Sequence, residues 1–599
     1  MTREQGQDQA VRGSRPALSL RRRTRALGWA VGVVLALLAT AACSGVRELP
    51  ADPAVDLEAG AITQIQSEWS HLIEGSEAKD PAHVAVLASA FYFASAGIVV
   101  LSPPDPGHEL SAASLAIALG FPVLVTGTAS DAEVVSELER LDTHTVLVMG
   151  DALVPELSED RPYLRAVEAP DSIEGLQVVI NQEIAESIPV PPGTQVLALA
   201  ALQPPFEELL VLGTDSGSSA SSDATATESS SPDSGLSELA GLPPYQPTVR
   251  VSGAVVLTDG DLAQVAAIGT ARAAGASVVV VPQTGLNATP ATITQFSALQ
   301  PTSVLGLGSV GEPDTFGYWS AVAATGVQVP GGGQEILPEK LYIGLRGTPN
   351  APELGGLGQQ DVPATMNRLA ALASQYQSSG QTTIPSAQLL TTIASTSAGN
   401  SGDYSSASTV ASLFPFVQAA TESGVSVQLS FQPGRATFLS QVQQYEELLD
   451  FPNVGVTLEP TWRVGPGELP GSQAGSVSAS EINEVEVWLT QFVRERSLPP
   501  KFLVVQAPTA SSVREPELLS SSGPQVEVVI EVDGVSAVSF DPALPVDPLA
   551  PPVVTAATVW EAATASGWGT SWAWLQPATS IAPAELLGLD PTPVMITYR

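Results

Sequence analysis

The chain has 599 residues, with 62 Asp+Glu against 24 Lys+Arg, four His and one Cys. That length holds roughly two to four domains with buried cores, and 44% hydrophobic with only 14% charged residues excludes a largely disordered chain. A net charge of −38 argues against nucleic acid as a partner, and the single Cys excludes intrachain disulfides and Cys-rich zinc sites.

Residues 1–25 carry seven Arg against Glu4 and Asp8. An apolar run follows from Ala26 to Ala42, and Cys43 closes it. This is the basic region, apolar region and small-residue cleavage site of a secretory signal. At 17 residues the run is shorter than the about 20 that a spanning helix needs. The stretch Leu38-Ala39-Thr40-Ala41-Ala42-Cys43-Ser44-Gly45 resembles a bacterial lipobox. That resemblance implies that residues 1–42 are removed as a signal peptide and that Cys43 is diacylated as the first mature residue. The alternative is an uncleaved signal anchor with an incidental Cys. Several acyl chains hold a protein on a membrane far better than one. Removing residues 1–42 leaves 17 Lys+Arg against 60 Asp+Glu, a net charge of −43. The expectation is an acidic ectodomain tethered by its lipid to the cell membrane and facing the cell wall.

Residues 43–60 read as the lipidated Cys and a short tether, with Pro50 and Pro53. From Ala61 helical and strand patterns alternate. Residues 214–237, rich in Ser, Asp, Thr and Gly, read as a flexible insert. A cluster at Pro330-Gly331-Gly332-Gly333 marks the boundary between two halves, 61–330 and 336–599.

The first half contains an internal repeat. One copy runs Val99–Ser102, an amphipathic stretch, Pro122–Val125, a second helix, then Val146–Gly150. The other runs Val255–Thr258, a helix, Val278–Val281, and later Val304–Gly306. Continuous Val/Leu strands imply parallel sheets covered by helices. The stretch "LSPPDPGHELSAASLAIALGFPVLVTGTASDAEVVSELERLDTHTVLVMGD" is similar to the cell-wall-binding type 2 repeat, and "ASVVVVPQTGLNATPATITQFSALQPTSVLGLGSVG" is a more diverged copy. The resemblance covers roughly residues 84–155 and 250–312 and implies α/β subdomains that attach to anionic wall polymers. The alternative is a generic α/β domain without wall affinity. A third, degraded copy is expected in 175–212, with Val178–Ile180 and Val196–Leu199 as strands.

In the second half eight strands are predicted: Leu341–Leu345, Leu389–Ala394, Val425–Phe431, Val454–Leu458, Phe502–Gln506, Val526–Val532, Gly569–Leu575 and Val594–Tyr598. Helical patterns lie between most of them: Val362–Tyr376, Ser406–Glu422, Ala436–Leu449 and Ser478–Arg496. Ser478-Ala479-Ser480-Glu481 fits a capping box, with Ser478 as N-cap and Glu481 reaching back to its N–H. The fold class is α/β: a Rossmann-like repeat region followed by a (β/α)₈ barrel, with an open doubly wound sheet as the alternative.

This half also resembles an uncharacterised domain that follows such repeats in actinobacterial lipoproteins and secreted proteins. The shared stretches are "GDYS" (Gly402–Ser405), "QPGR" (Gln432–Arg435), "VGVTLEPTWRVGPGE" (Val454–Glu468), "GSVSASEINEVEVWL" (Gly475–Leu489) and "EVDG" (Glu531–Gly534). The resemblance places an acid where Ser430 stands and a His near Gln506-Ala507. It therefore implies that groups a catalytic site would need have been lost.

All four His (His71, His83, His108, His144) precede residue 145, so the second half holds neither His nor Cys. That excludes a Ser-His-Asp triad, a Cys nucleophile and a His-ligated metal there. Carboxylates remain. Glu459 follows the fourth strand, Glu531 and Asp533 end the sixth, and Asp403 lies after the second. Barrel sites gather at the carboxyl ends of strands, so a glycosidase pair of Glu459 with Glu531 or Asp533 is one reading. Trp462, Trp568, Trp572 and Trp574 would then offer stacking faces for a sugar, and Asp403 and Arg435 polar contacts. The other reading is that the acids face solvent or cap helices and the Trp residues fill the core. His108 follows a strand and is expected on an exposed loop, and Gly331–Gly333 lack a phosphate-loop context. No cofactor and no metal is expected. The leading function is a non-catalytic, lipid-anchored envelope protein binding a cell-wall glycan or another envelope component. The alternatives are a glycoside hydrolase-like enzyme and a protein-binding envelope scaffold.

Overall fold

The computed structural model describes residues 61–64, 69–74, 77–157, 164–204, 206–213, 240–246, 248–508, 510–533, 571–576, 582–588 and 592–599. Residues 1–42, expected to be the signal, Cys43 and the expected tether to residue 60, the expected insert 214–237 and Trp568 lie outside the described residues, as does the side chain of Asp533.

Two four-stranded parallel sheets form the repeat region. The first is built from β2 (Ile98–Ser102), β3 (Val123–Val125), β4 (Thr145–Val148) and β5 (Arg165–Glu168), in the order β3-β2-β4-β5. The second is built from β1 (Ser70–Ile73), β8 (Ala254–Thr258), β9 (Ser277–Val280) and β10 (Ser303–Leu307), in the order β9-β8-β10-β1. Val100 pairs with Val123 and Val256 with Val278, so the repeat seen as sequence spacing is a repeat of register.

The helices between these sheets are rich in Ala for a packing reason. Helices α1 (Pro81–Tyr92) and α2 (Pro106–Leu119) both pack on α6 (Val265–Ala273), and all three are largely buried. A helix buried on several sides needs no polar stripe. A Cβ on Gly269 of α6 would lie 2.6 Å from the Cβ of Ala113 of α2, so that crossing requires glycine. Asp105 starts α2 by accepting from the N–H of Gly107 and His108, and Gly120, at φ 78°, ends it.

The expected third copy differs. Val178–Ile180 lies in helix α4 (Ile173–Ile180) and Val196–Leu199 in helix α5 (Gln195–Ala201), not in strands. Its strands are β6 (Glu186–Val190) and β7 (Glu208–Leu212), a parallel pair joined through α5. A short apolar run suits a buried helix turn as well as a strand, and here the N-cap Ser172, whose hydroxyl accepts from the Gly175 N–H, decides for helix.

The second half is a closed barrel of eight parallel strands: β11 (Lys340–Gly347), β12 (Thr382–Ala394), β13 (Ser426–Phe431), β14 (Val454–Leu458), β15 (Lys501–Gln506), β16 (Val526–Asp533), β17 (Ser571–Leu575) and β18 (Met595–Tyr598). Pairing of β11 with both β12 and β18 closes the ring and rules out the open sheet. At the β11–β12 seam a Cβ on Gly344 would lie 2.3 Å from the carbonyl oxygen of Ser386, so only glycine fits. Apolar side chains including Tyr342, Phe502, Val504 and Val529 form a buried cluster, with Val329 and Ile336 of the preceding segment packed into it.

Of the predicted helices, Ala436–Leu449 is broken into Phe438–Val442, a 3₁₀ turn and Glu446–Leu449. The stretch starting at Ser406 begins as an antiparallel strand, Ser405–Ala407, before helix Val410–Glu422. Ser478 caps helix Ala479–Glu495 as expected, accepting from the Glu481 N–H. The carboxylate of Glu481 is used elsewhere: it accepts from the Phe438 N–H and from Nε of Arg463, tying two loops to the helix start.

Candidate functional site at the barrel mouth

Six consecutive strands, β11 to β16, bring polar side chains to the carboxyl end of the barrel. Arg346 lies next to the end of β11, directly across from Gln388 on β12. Ser430 lies on β13 and Gln432 just beyond it, Glu459 just beyond β14, and Gln506 on β15 opposite Glu531 on β16. These residues bond to one another. Nη2 of Arg346 donates to both carboxylate oxygens of Glu459 at 2.7 Å. Ser430 Oγ donates to Glu459 at 2.5 Å and Gln432 Nε2 at 3.0 Å. Nη1 of Arg346 donates to Oε1 of Gln388, whose Nε2 donates to Glu531 at 3.0 Å. Gln506 Nε2 donates to Glu531 at 2.9 Å.

Glu459 and Glu531 are both 0% exposed, and the Arg346 side chain 12%. Burial pushes the Glu531 carboxyl up from its ordinary value; Gln388, Arg346 and Gln506 oppose the rise and Glu459 adds to it. An ion pair with this much burial is kept only where further hydrogen bonds satisfy its remaining lone pairs and protons; Ser430 and Gln432 do so for Glu459 and Gln388 for Arg346, while Gln388 and Gln506 serve Glu531.

The structure therefore brings Glu459 and Glu531 into one network. Two members of it, Arg346 and Gln388, were not singled out in the sequence. The only signal they give is a polar residue inside an apolar strand, as in Leu341–Arg346 and Ser386–Leu390. Ser430 and Gln506, at or beside the positions where the resemblance implies an acid and a His, are among the groups that donate to the two carboxylates.

The remaining candidates sit elsewhere. Trp572 is buried in the shell between barrel and helices, edge-on to Trp574 at 6.1 Å, and so fills core. Trp462 is half-buried in the 3₁₀ turn Pro460–Trp462. Asp403 and Arg435 lie on neighbouring loops, where the Arg435 N–H donates to the Asp403 carbonyl. The Arg435 guanidinium stacks over Tyr404 at 3.9 Å and donates to the Glu468 carbonyl. His108 lies in the first turn of α2, part-exposed and bonded to Asp105 at 3.0 Å. Among the described residues no group of three or more His, Cys, Asp or Glu side chains is placed to hold a metal ion, and no helix is long and apolar enough to cross a membrane.

No family model matches the chain, and no curated protein resembles it in sequence. Two solved structures of Clostridium difficile cell-wall proteins show a weak likeness. Cwp6 matches with a TM-score of 0.30 and 12% identity over 62% of this chain, and Cwp8 with 0.27 and 12% over 44%. The matches span 66% and 53% of those chains, less than two thirds of either.

Proposed function

We propose that this is a lipid-anchored envelope protein whose barrel is non-catalytic. The observation that carries the second clause is the saturation of Glu459 and Glu531 by buried donors. A glycosidase needs one carboxyl group free to give a proton and the other free to meet sugar or water. Here both are fully buried, and each is held by side chains of its own barrel. The anchor clause rests on the basic region, apolar run and Cys43 of the N-terminus. In this reading residues 1–42 are the signal, 43–60 the lipidated tether, 61–330 the contact region for a wall glycan or envelope partner, and 336–599 a rigid module behind it.

The net charge of the mature chain sets a condition on wall contact. An acidic protein meets an anionic polymer only if divalent cations bridge the two or if the target glycan is neutral. Isolated cell walls mixed with the protein, with and without calcium, test this: retention is expected in calcium, and no retention in either condition sinks the wall-binding clause. Cys43→Ala is expected to move the protein from the membrane to the soluble fraction, and persistence at the membrane would overturn the anchor. Turnover of wall glycan by the wild-type chain that Glu459→Gln abolishes would restore the hydrolase reading, favoured by the convergence of the two acids.

A further inference from the structure

A cavity of about 550 Å³ opens at the carboxyl ends of β1, β9 and β10, roofed by helix α8 (Pro313–Thr325). That volume is in the range of small-molecule sites, and strand ends are where open α/β sheets hold ligands. Its lining carries three carboxylates, Glu74, Glu312 and Glu335, and no Lys, Arg or His. Such a lining repels anions and attracts a cation. Trp319 and Phe316 add aromatic surface.

The second observation is independent of the charge. Ser320 lines the same cavity, is 1% exposed, and its hydroxyl has no hydrogen-bond partner. Leaving a buried hydroxyl unpaired costs about 1–3 kcal/mol, so a native protein that keeps one calls for an explanation. A ligand bearing hydroxyl or ammonium groups supplies the missing partner. The wall is also fixed in advance: Asn287 Nδ2 donates to the Trp319 carbonyl at 2.9 Å and to Gln334 at 2.6 Å, and Gln334 in turn donates to the carbonyls of Val322 and Val327. Glu335 is half-buried, and burial raises its carboxyl above the ordinary range against the opposing pull of Lys340, whose ammonium is held by the carbonyls of Gly332 and Glu335.

We propose that this crevice binds a small polyhydroxylated primary amine, the chemistry of an amino sugar: carboxylates for the ammonium, Ser320 for a hydroxyl, Trp319 for the apolar face of a ring. The inference rests on the cavity and stands whether or not the protein holds to the wall. Calorimetric titration of the full chain with glucosamine, N-acetylglucosamine and glucose tests it. Saturable glucosamine binding is expected, with both uncharged sugars weaker by about tenfold or more. Glu335→Gln and Ser320→Ala should each weaken glucosamine about tenfold, and Glu312→Gln at the rim about threefold, with melting curves unchanged. If Glu335→Gln does not fold, Glu312→Gln and Ser320→Ala decide. No saturable glucosamine binding at millimolar concentration, equal affinity for the N-acetylated sugar, or variants that bind like the wild type would each overturn it.

Discussion

In the barrel, the carboxyl ends of six strands carry Arg346, Gln388, Ser430, Glu459, Gln506 and Glu531, and these side chains bond to one another. In the repeat region, the ends of three strands carry Glu74, the Gln283–Asn287 loop and the Gly308–Glu312 loop, and they leave a crevice with a buried hydroxyl unmatched. Both regions are parallel strand-and-helix folds, and both place polar groups where such folds put their ligand sites. What separates them is whether those groups satisfy each other. A mouth in which every carboxylate oxygen has found an internal donor offers a ligand little that water does not already have. A crevice with unmatched acceptors offers it a net gain.

The comparison breaks first at Arg346. Arg346→Ala leaves Glu459 buried without its cation, a loss of about 3–5 kcal/mol. Urea unfolding should show it, and Arg346→Ala with Glu459→Gln should recover part of the loss. A near-neutral Arg346→Ala would mean that the mouth is open to solvent after all. The next effect compares two glycines. Gly344→Ala at the barrel seam drives a methyl into the backbone of Ser386, while Gly306→Ala in the repeat sheet meets only side chains of Leu72 and Phe316. About 3 kcal/mol is expected for the first and about 1–2 for the second, read as shifts in unfolding midpoint.

Titration sharpens the contrast. Glu109 on α2 is buried, and burial, helped by Asp105, pushes its carboxyl up to about 8 from 4.5. Its folded form prefers the proton, so its contribution is complete below about pH 4.5 and is lost as the pH rises through 8. Lys501 at the start of β15 is fully buried, donates to the carbonyls of Phe451 and Val454, and burial brings it down to about 7 from 10.5. Its contribution runs the other way and is lost as the pH falls from 10.5 to 7. Glu109→Gln should flatten the alkaline loss by roughly 2–4 kcal/mol between pH 5 and 9, measured by urea midpoints across that range. A profile unchanged by this substitution would place the carboxylate in water. The smallest effect belongs to Arg435→Ala, which removes only the stack on Tyr404 and the bonds to the Glu468 carbonyl. About 0.5–1 kcal/mol is expected in a thermal melt.

The eight barrel strands were legible because most are short apolar runs set between helical patterns; of β12 only Leu389–Ala394 was read, because its first half, Thr382–Gln388, is too polar to stand out. Glu459 and Glu531 were legible because carboxylates at strand ends stand out in a half without His or Cys. Their donors were not: one Arg and several Gln, each alone in its strand, gain meaning only when closure sets Arg346 beside Gln388 and Gln506 beside Glu531. The α4 and α5 runs were misread because three or four apolar residues fit either period. The crevice was invisible because its lining comes from the residue after β1, two loops, α8 and the later segment that carries Glu335, which no spacing connects.

The closing seam has a consequence for how the chain is made. The ring is completed by β18, which sits between β11 and β17. It is the last of the eight strands to emerge in synthesis. Until it docks, β11 and β17 each present a bare edge that another strand could join. A chain made from its N-terminus therefore stays an open ribbon until its final strand arrives and becomes a cylinder only then.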